Sequence, residues 1–470
     1  RRIAQISFSE GIKGTVSSRL FVWSHIAGEG LKRPLSGYGA EHISQLFDTA
    51  YDPSKILEQW FDRSHNAFLD YFVQYGIVGL ILYLALIGVF VHYAFRLHRH
   101  ETITLINPGV LFLLLILTYA VQNFFVFDTP HSLWLLYALL ASLIVLFEDV
   151  SSTTLVRKRV PNLVPVLTSG VILLALIPTV VFPLSANILL TQGYLLHLTD
   201  VNRANEYFKR GLMLGTHSDL EYGYQAYSMY TDHQAIQLSG NERVAAYEYA
   251  LSVLSVNFNK YPYDARTATY LGHVLDTAPP GVRVDEAFEY QVLSRAIALS
   301  PLRAQAWYML ANISLRKADA MQDDARRETY FREAITVLEE YAQKEPALPL
   351  SRYTLASIHY KLGEVVTAKK WADEAYPLYT DPDTAVARPA VKYYLAIEDW
   401  KHAVRFLSDL VEENPSDAQT LYDLAKVTYL AGDSATAERI YAQLQATNPD
   451  ILKTDPNFVT AITAYEQSKK

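Results

Sequence analysis

Residues 61–95 read FDRSHNAFLDYFVQYGIVGLILYLALIGVFVHYAF. A polar opening with Asp62, Arg63, Asp70 and a histidine gives way after Gly76 to an apolar run, which ends in the basic cluster Arg96, His98, Arg99 and His100. At 1.5 Å per residue, about 20 apolar residues cross the roughly 30 Å hydrocarbon layer of a membrane. Three more runs of the same kind follow, over 110–127, 132–147 and 164–184. The third is short, but Leu133, Trp134 and Tyr137 suit the interface between lipid and water. The expectation is a multi-pass protein with four transmembrane helices over 73–186. Arg96–Arg99 after the first run and Arg157, Lys158 and Arg159 before the fourth put both of those loops on the cytoplasmic side. The connection around Asp128–His131 has no Lys or Arg and faces outward. Four crossings return the chain to its starting side, so 1–72 and everything after Leu184 are extracytoplasmic.

Composition agrees with this division. The 470 residues are 50% hydrophobic and 19% charged, which excludes a disordered chain, and a net charge of −8 argues against nucleic acid as the main partner. With no cysteine there can be no disulfide, thiolate zinc site or cysteine nucleophile. The first residues, RRIAQISFSEGIKG, lack a starting Met and a signal-peptide pattern, and read as the continuation of a longer chain.

From about Asn187 the pattern turns to amphipathic helices. Pro415 and Pro449 lie 34 residues apart, and between them Leu421, Leu424 and Ala425 fall on one helix, Gly432 at a turn, and Ala437, Ile440, Tyr441 and Leu444 on the next. Small residues let paired helices approach, and the larger ones fill the groove. Looser copies run through Tyr353–Ala375, Trp307–Pro346 and Tyr270–Ala296, a short degenerate copy covers 388–415, and 201–238 reads as an irregular first element. The unit resembles a tetratricopeptide repeat. The fold class expected is therefore all-α: multi-pass transmembrane helices followed by an α-solenoid over 187–470, serving as packing and spacer or as a surface for a peptide or glycan.

Chemistry is concentrated in residues 15–76. TVSSRLFVWSHIA reads as an amphipathic helix capped at Ser17 or Ser18, with Arg19 four residues before Trp23. Gly37-Tyr38-Gly39 marks a tight turn without the strand, third glycine or acidic residue of a dinucleotide fingerprint. If Ser64 caps the next helix, His65 and Asn66 occupy its opening turn, where free N–H groups favour an anion and a neutral imidazole can accept a proton from an alcohol. No carboxylate cluster has metal-ligand spacing, and Asp62 and Asp70 read as solvated or structural. Solvated charge is the reading for Lys13, Lys32, Arg33 and Arg63, with phosphate or lipid headgroups as possible ligands.

The series Arg19-x-x-x-Trp23, Pro34-x-x-Gly37-x-Gly39 and His65-Asn66, followed by an apolar helix with Gly76 and Gly79, resembles the O-antigen ligase and polymerase superfamily over about residues 15–100. The resemblance implies a membrane glycosyltransferase of the bacterial inner membrane, moving a glycan from a polyprenyl pyrophosphate carrier to an acceptor hydroxyl on the extracytoplasmic face. It implies that Arg19 pairs with pyrophosphate oxygens, as a permanently charged two-donor group can. His65 would be general base toward the acceptor, and Asn66 would hold the loop or a sugar hydroxyl. Gly37 and Gly39 would shape the turn, and Arg63 is a further candidate for substrate contact. No cofactor or metal is expected, since arginines can supply charge to a good leaving group. The implied acceptor is lipid, polysaccharide or protein, with a protein partner on the repeats as a further expectation. Family members have more spans and a further upstream arginine, so this segment carries part of a site. The alternatives are a protein O-oligosaccharyltransferase of the same superfamily and a non-catalytic membrane-anchored repeat scaffold.

Overall fold

The computed structural model describes residues 8–468 except 54, 56–58, 101–106, 152–162, 217, 218, 233 and 381. Among the described residues there is no strand, and the fold class is all-α. The chain divides into two compact units, Arg1–Ala306 and Trp307–Lys470.

The first unit opens with α1 (Phe8–Lys32) and the short α2 (Ile43–Ala50). Helix α1 runs through Ser17 and Ser18 instead of starting there, so neither is a cap. A small core of Val22 and Ile26 from α1, Ile43 and Phe47 from α2, Phe61 and Val73 joins these helices to α3 (Ala67–His100).

Helix α3, α4 (Pro108–Phe125) and α5 (Pro130–Ser151) pack through Phe90, Ala94, Leu97, Phe112, Ile116, Leu136 and Leu143. Gly109 lets α4 approach closely, because a Cβ there would lie 2.4 Å from the His98 backbone nitrogen. Outward faces remain apolar, as on Leu82, Leu114, Leu117, Trp134 and Leu135, which is the pattern of helices solvated by lipid. Among the described residues four helices are long and apolar enough to cross a membrane: Ala67–Arg99, Pro108–Phe125, Pro130–Glu148 and Val166–Leu196. The fourth is built from α6 (Leu163–Leu176), a π-helical turn over Ile177–Val181 containing Pro178, and α7 (Phe182–Leu196). Proline removes one ladder N–H, and the wider turn absorbs the fault. Of the basic loop residues, Arg157, Lys158 and Arg159 lie outside the described residues.

Helix α7 passes without a linker into the repeats. It packs on α8 (Val201–Leu212) so tightly that a Cβ on Gly193 would fall 2.0 Å from the Phe208 ring. Tyr222 then donates its hydroxyl to the Ala186 carbonyl at 2.7 Å. The pairs α9 (Asp219–Tyr230) with α10 (Gly240–Lys260), and α11 (Ala265–Asp276) with α12 (Glu286–Leu299), continue the pattern around Ala226, Ala250, Leu254, Ala268, Leu271 and Ala296. The irregular first element is thus two ordinary helices, α8 and α9, and a short 3₁₀ turn at Ala235–Gln237.

The second unit repeats the same hairpin. After α13 (Ala304–Ala320) come α14 (Asp324–Lys344), α15 (Leu350–Lys361), α16 (Val365–Ala375), α17 (Thr384–Ala396), α18 (Trp400–Glu413), α19 (Ala418–Leu430), α20 (Ser434–Thr447), α21 (Pro449–Leu452) and α22 (Pro456–Ser468). Leu421, Leu424 and Ala425 on α19 and Ala437, Ile440, Tyr441 and Leu444 on α20 are buried in one core, as the 34-residue spacing predicts. Gly432 takes φ +92° at the turn between them. Aspartates at 285, 323, 383, 399, 417 and 433 accept the first free N–H groups of their helices, which supports short helices that would be marginal alone.

Candidate functional site

The loop after α1 is built by backbone meeting backbone. Gly37 (φ +66°) and Gly39 (φ +96°) take left-handed conformations. A Cβ on Gly37 would lie 2.5 Å from the Gln74 carbonyl, and one on Gly76 (φ +68°) 2.1 Å from the Leu35 carbonyl oxygen. Such approaches admit only glycine. The contacts are hydrogen bonds: Tyr38 N–H donates to Val73 C=O at 2.9 Å, Gly39 N–H to Gln74 C=O at 2.8 Å, and Ile77 N–H to Pro34 C=O at 2.7 Å. Gly76 breaks the regular geometry of α3 here. The motif Pro-x-x-Gly-x-Gly and the distant Gly76 are thus two halves of one clasp. Both glycine amides are engaged by carbonyls, Gly37 with that of Arg33, so what these residues contribute is the shape of the loop.

His65 sits at the start of α3, and its placement differs from expectation in one respect. Asn66, not Ser64, is the cap: its Oδ1 accepts from Leu69 N–H at 3.1 Å, and its carbonyl accepts from Asp70 N–H at 2.9 Å. His65 therefore lies just outside the helix, with φ +58°, a conformation that costs a β-substituted residue about 1–3 kcal/mol and survives only where surroundings enforce it. Those surroundings are visible. Ser64, fully buried, gives both its N–H (2.9 Å) and its hydroxyl (2.6 Å) to Asp70 Oδ1. The Trp23 indole N–H donates to the Ser64 carbonyl at 2.6 Å. The His65 ring meets Phe61 edge-on at 5.7 Å and Phe127 at 5.6 Å. Asp70 is buried, and its Oδ1 anchors Ser64 while its Oδ2 meets no hydrogen-bond donor among the described residues.

Arg19 is half-buried on α1, one turn before Trp23. Residues four apart share a helix face, so the face of α1 that carries Arg19 is the face fastened to the residue preceding His65. Arg63 is drawn elsewhere: it pairs with Glu41 at 2.5 Å and donates to Gln74 Oε1 at 3.2 Å. Lys32 pairs with Glu29 at 2.6 Å, and that ammonium, chiefly, holds the Glu29 carboxyl below its ordinary range. Arg33 lies over the Tyr38 ring at 4.7 Å. The side chain of Lys13 lies outside the described residues.

The first unit also brings to this loop residues that the sequence did not single out. Arg303, only 1% exposed, donates to Asp48 Oδ1 at 2.8 Å and to the Gln59 carbonyl at 2.6 Å. Its guanidinium lies over the rings of Trp60 (3.5 Å) and Tyr51 (4.1 Å). Ser300 adds a hydroxyl donated to the Asp48 carbonyl at 2.8 Å. Burial pushes the Asp48 carboxyl up to about 7 against the opposing pull of Arg303. Nothing in the sequence around Arg303, LSPLRAQAW, separates it from an ordinary turn residue between repeats.

Residues 2–84 match the O-antigen ligase family. The matched segment spans α1, the glycine clasp, α2, His65, Asn66 and α3 as far as Leu84, so Arg19 and His65 lie inside it together. The match points to O-antigen ligase-type membrane function for this N-terminal part, and the helical hairpins lie beyond it. Among solved structures the chain is similar to a thermophilic tetratricopeptide-repeat protein of Thermus thermophilus, with 16% identity and TM-score 0.33, covering 44% of this chain and 99% of that one. It is also similar to yeast Tom70, with 13% identity and TM-score 0.23, covering 83% of this chain and 96% of that one. No curated protein matches the chain.

Proposed function

We propose that the chain is part of a membrane glycosyltransferase that transfers a glycan from a polyprenyl pyrophosphate carrier to an acceptor hydroxyl on the extracytoplasmic face of the bacterial inner membrane. The observation that carries the reading is the Trp23–Ser64 hydrogen bond, which fastens the helix face bearing Arg19 to the strained turn bearing His65 within the segment matching the ligase family. In this reading 1–72 is the extracytoplasmic loop, 73–186 the four membrane helices and 187–470 the repeats.

Neutral His65 takes the proton from the acceptor hydroxyl as that oxygen attacks the anomeric carbon. The bond from that carbon to the pyrophosphate oxygen breaks, its electrons leave with the pyrophosphate, and direct displacement inverts the carbon. Arg19 meets the charge growing on the leaving group with two parallel N–H donors. Asn66 holds the turn through its cap, Gly37 and Gly39 hold the loop, and Arg63 is engaged by Glu41 and Gln74 rather than by substrate. Lipid-linked glycan is the donor class, and the repeats are a surface for a protein or acceptor partner.

The test is separate substitution of His65→Ala and Arg19→Ala in the full-length protein in its own host. The expected result is accumulation of lipid-linked glycan at normal protein abundance, with transfer reduced by about 10²-fold or more. Wild-type delivery of polymer by both variants overturns these roles.

A further inference from the structure

We infer that Arg303, a repeat-domain residue, is a positioning residue for His65, so that the first repeats are a working part of the transfer site. The inference rests on the proposed role of His65. Its physical content is a chain of contacts running from Arg303 to the imidazole.

The loop between α2 and α3 leaves at Asp48–Tyr51 and returns at Gln59–Phe61. Arg303 grips both ends, through the Asp48 carboxylate and Tyr51 ring on the outgoing side and the Gln59 carbonyl and Trp60 ring on the returning side. A planar guanidinium can do this because its donors lie in the ring plane while its faces stay open for stacking. Tyr270 on α11 also meets the Trp60 indole, with ring planes nearly perpendicular at 5.8 Å, and Arg266 approaches it at 5.8 Å. The next residue, Phe61, is buried against Phe47 at 4.6 Å and stands nearly perpendicular to the His65 ring at 5.7 Å. Phe47 in turn precedes Asp48. The aromatic wall behind the imidazole is therefore clamped at both of its sequence neighbours by one side chain from the repeats. Because His65 is held at φ +58°, loosening that wall lets the turn relax and moves the imidazole. A displacement of about 1 Å at a reacting group can cost on the order of 10²-fold in rate.

A positioning role and a merely structural one predict different things. The experiment uses full-length protein in lipid nanodiscs and, as donor, the polyprenyl pyrophosphate-linked glycan fraction extracted from the host membrane. Wild type is compared with Arg303→Ala, Arg303→Lys and Asp48→Asn for transfer rate at varied donor concentration, for melting temperature and for amide hydrogen exchange over 59–66. Expected are a fall of about 10²-fold in kcat with KM for the donor unchanged, and about tenfold faster exchange confined to 59–66. Guanidinium ion added to Arg303→Ala should restore part of the rate, and Arg303→Lys, which keeps charge but not the planar fork, should not. If Arg303→Ala does not fold, Arg303→Lys and Asp48→Asn carry the same comparison. Unchanged exchange over 59–66, or faster exchange with an unchanged rate, overturns the positioning role. His65→Ala transferring at the wild-type rate overturns the site reading instead, and the inference with it.

Discussion

His65 adopts a left-handed backbone that a histidine takes up only under constraint, and this separates its chemistry from its contribution to stability. Glycine at this position removes the strain and the imidazole together. His65→Gly should therefore abolish transfer while melting higher than His65→Ala by the equivalent of about 1 kcal/mol, as checked by differential scanning fluorimetry in detergent. Equal or lower melting of the glycine variant would remove strain from the account. The neighbouring Asn66 acts through its cap. Asn66→Ala should cost about 1 kcal/mol and Asn66→Asp much less, read in the same assay. Neither feature was legible beforehand. Ser64 resembles a helix cap in sequence because any Ser before an apolar run does, yet Asp70 claims its hydroxyl and N–H and leaves the cap to Asn66. The motif series around Arg19, Gly37 and His65 was legible because it is a matter of residue type and spacing. The grip of Arg303 on Asp48 joins positions 255 residues apart in the chain and leaves no local pattern.

Among the elements, the break in α3 is the most sharply defined. Gly76→Ala would set a Cβ against the Leu35 carbonyl at a positive φ and should lower stability by roughly 3 kcal/mol or more. Gly88→Ala, in the same helix with nothing within 4 Å, should be neutral or slightly stabilising. Thermal melting of the two variants checks the contrast, and equal effects would count against the clasp. Helix α22 offers a titration. The Lys426 ammonium, with the Phe458 N–H and the Tyr422 hydroxyl, pulls the Asp455 carboxyl down to about 2. The folded value lies below the unfolded value of about 3.9, so the folded state holds fewer protons between them. Asp455 therefore contributes stability above about pH 4, and the contribution is lost as pH falls through about 2. Circular dichroism between about pH 5 and pH 2 should show Asp455→Asn less stable than wild type at the upper end, with the gap closing at the lower. A gap that widens on acidification would reverse the sign. Helical periodicity and the recurring small residues made the hairpins readable in sequence, whereas the cap at Asp455 depends on which helix its carboxylate meets.

At the level of the whole molecule, the membrane helices and the repeats were legible because each is written as a pattern over tens of residues, which no single contact can disguise. The sidedness read from Arg96, Arg99 and the Arg157–Arg159 cluster carries a direct expectation. A reporter joined after Lys470 should be active only outside the cytoplasm, and one inserted within 101–106 only inside. Cytoplasmic activity at the C-terminal position would overturn the assignment of both soluble regions to the outer face. The fourth membrane helix has a mechanical consequence. From Leu163 through the π turn to Leu196 it is one continuous element of about 50 Å at 1.5 Å per residue, and Gly193 locks its end onto Phe208 of the first hairpin. A rod longer than the lipid layer and welded at its tip must lean when the bilayer thins, and α8 must lean with it. Lipid chain length is thus a handle on the attitude of the first hairpin.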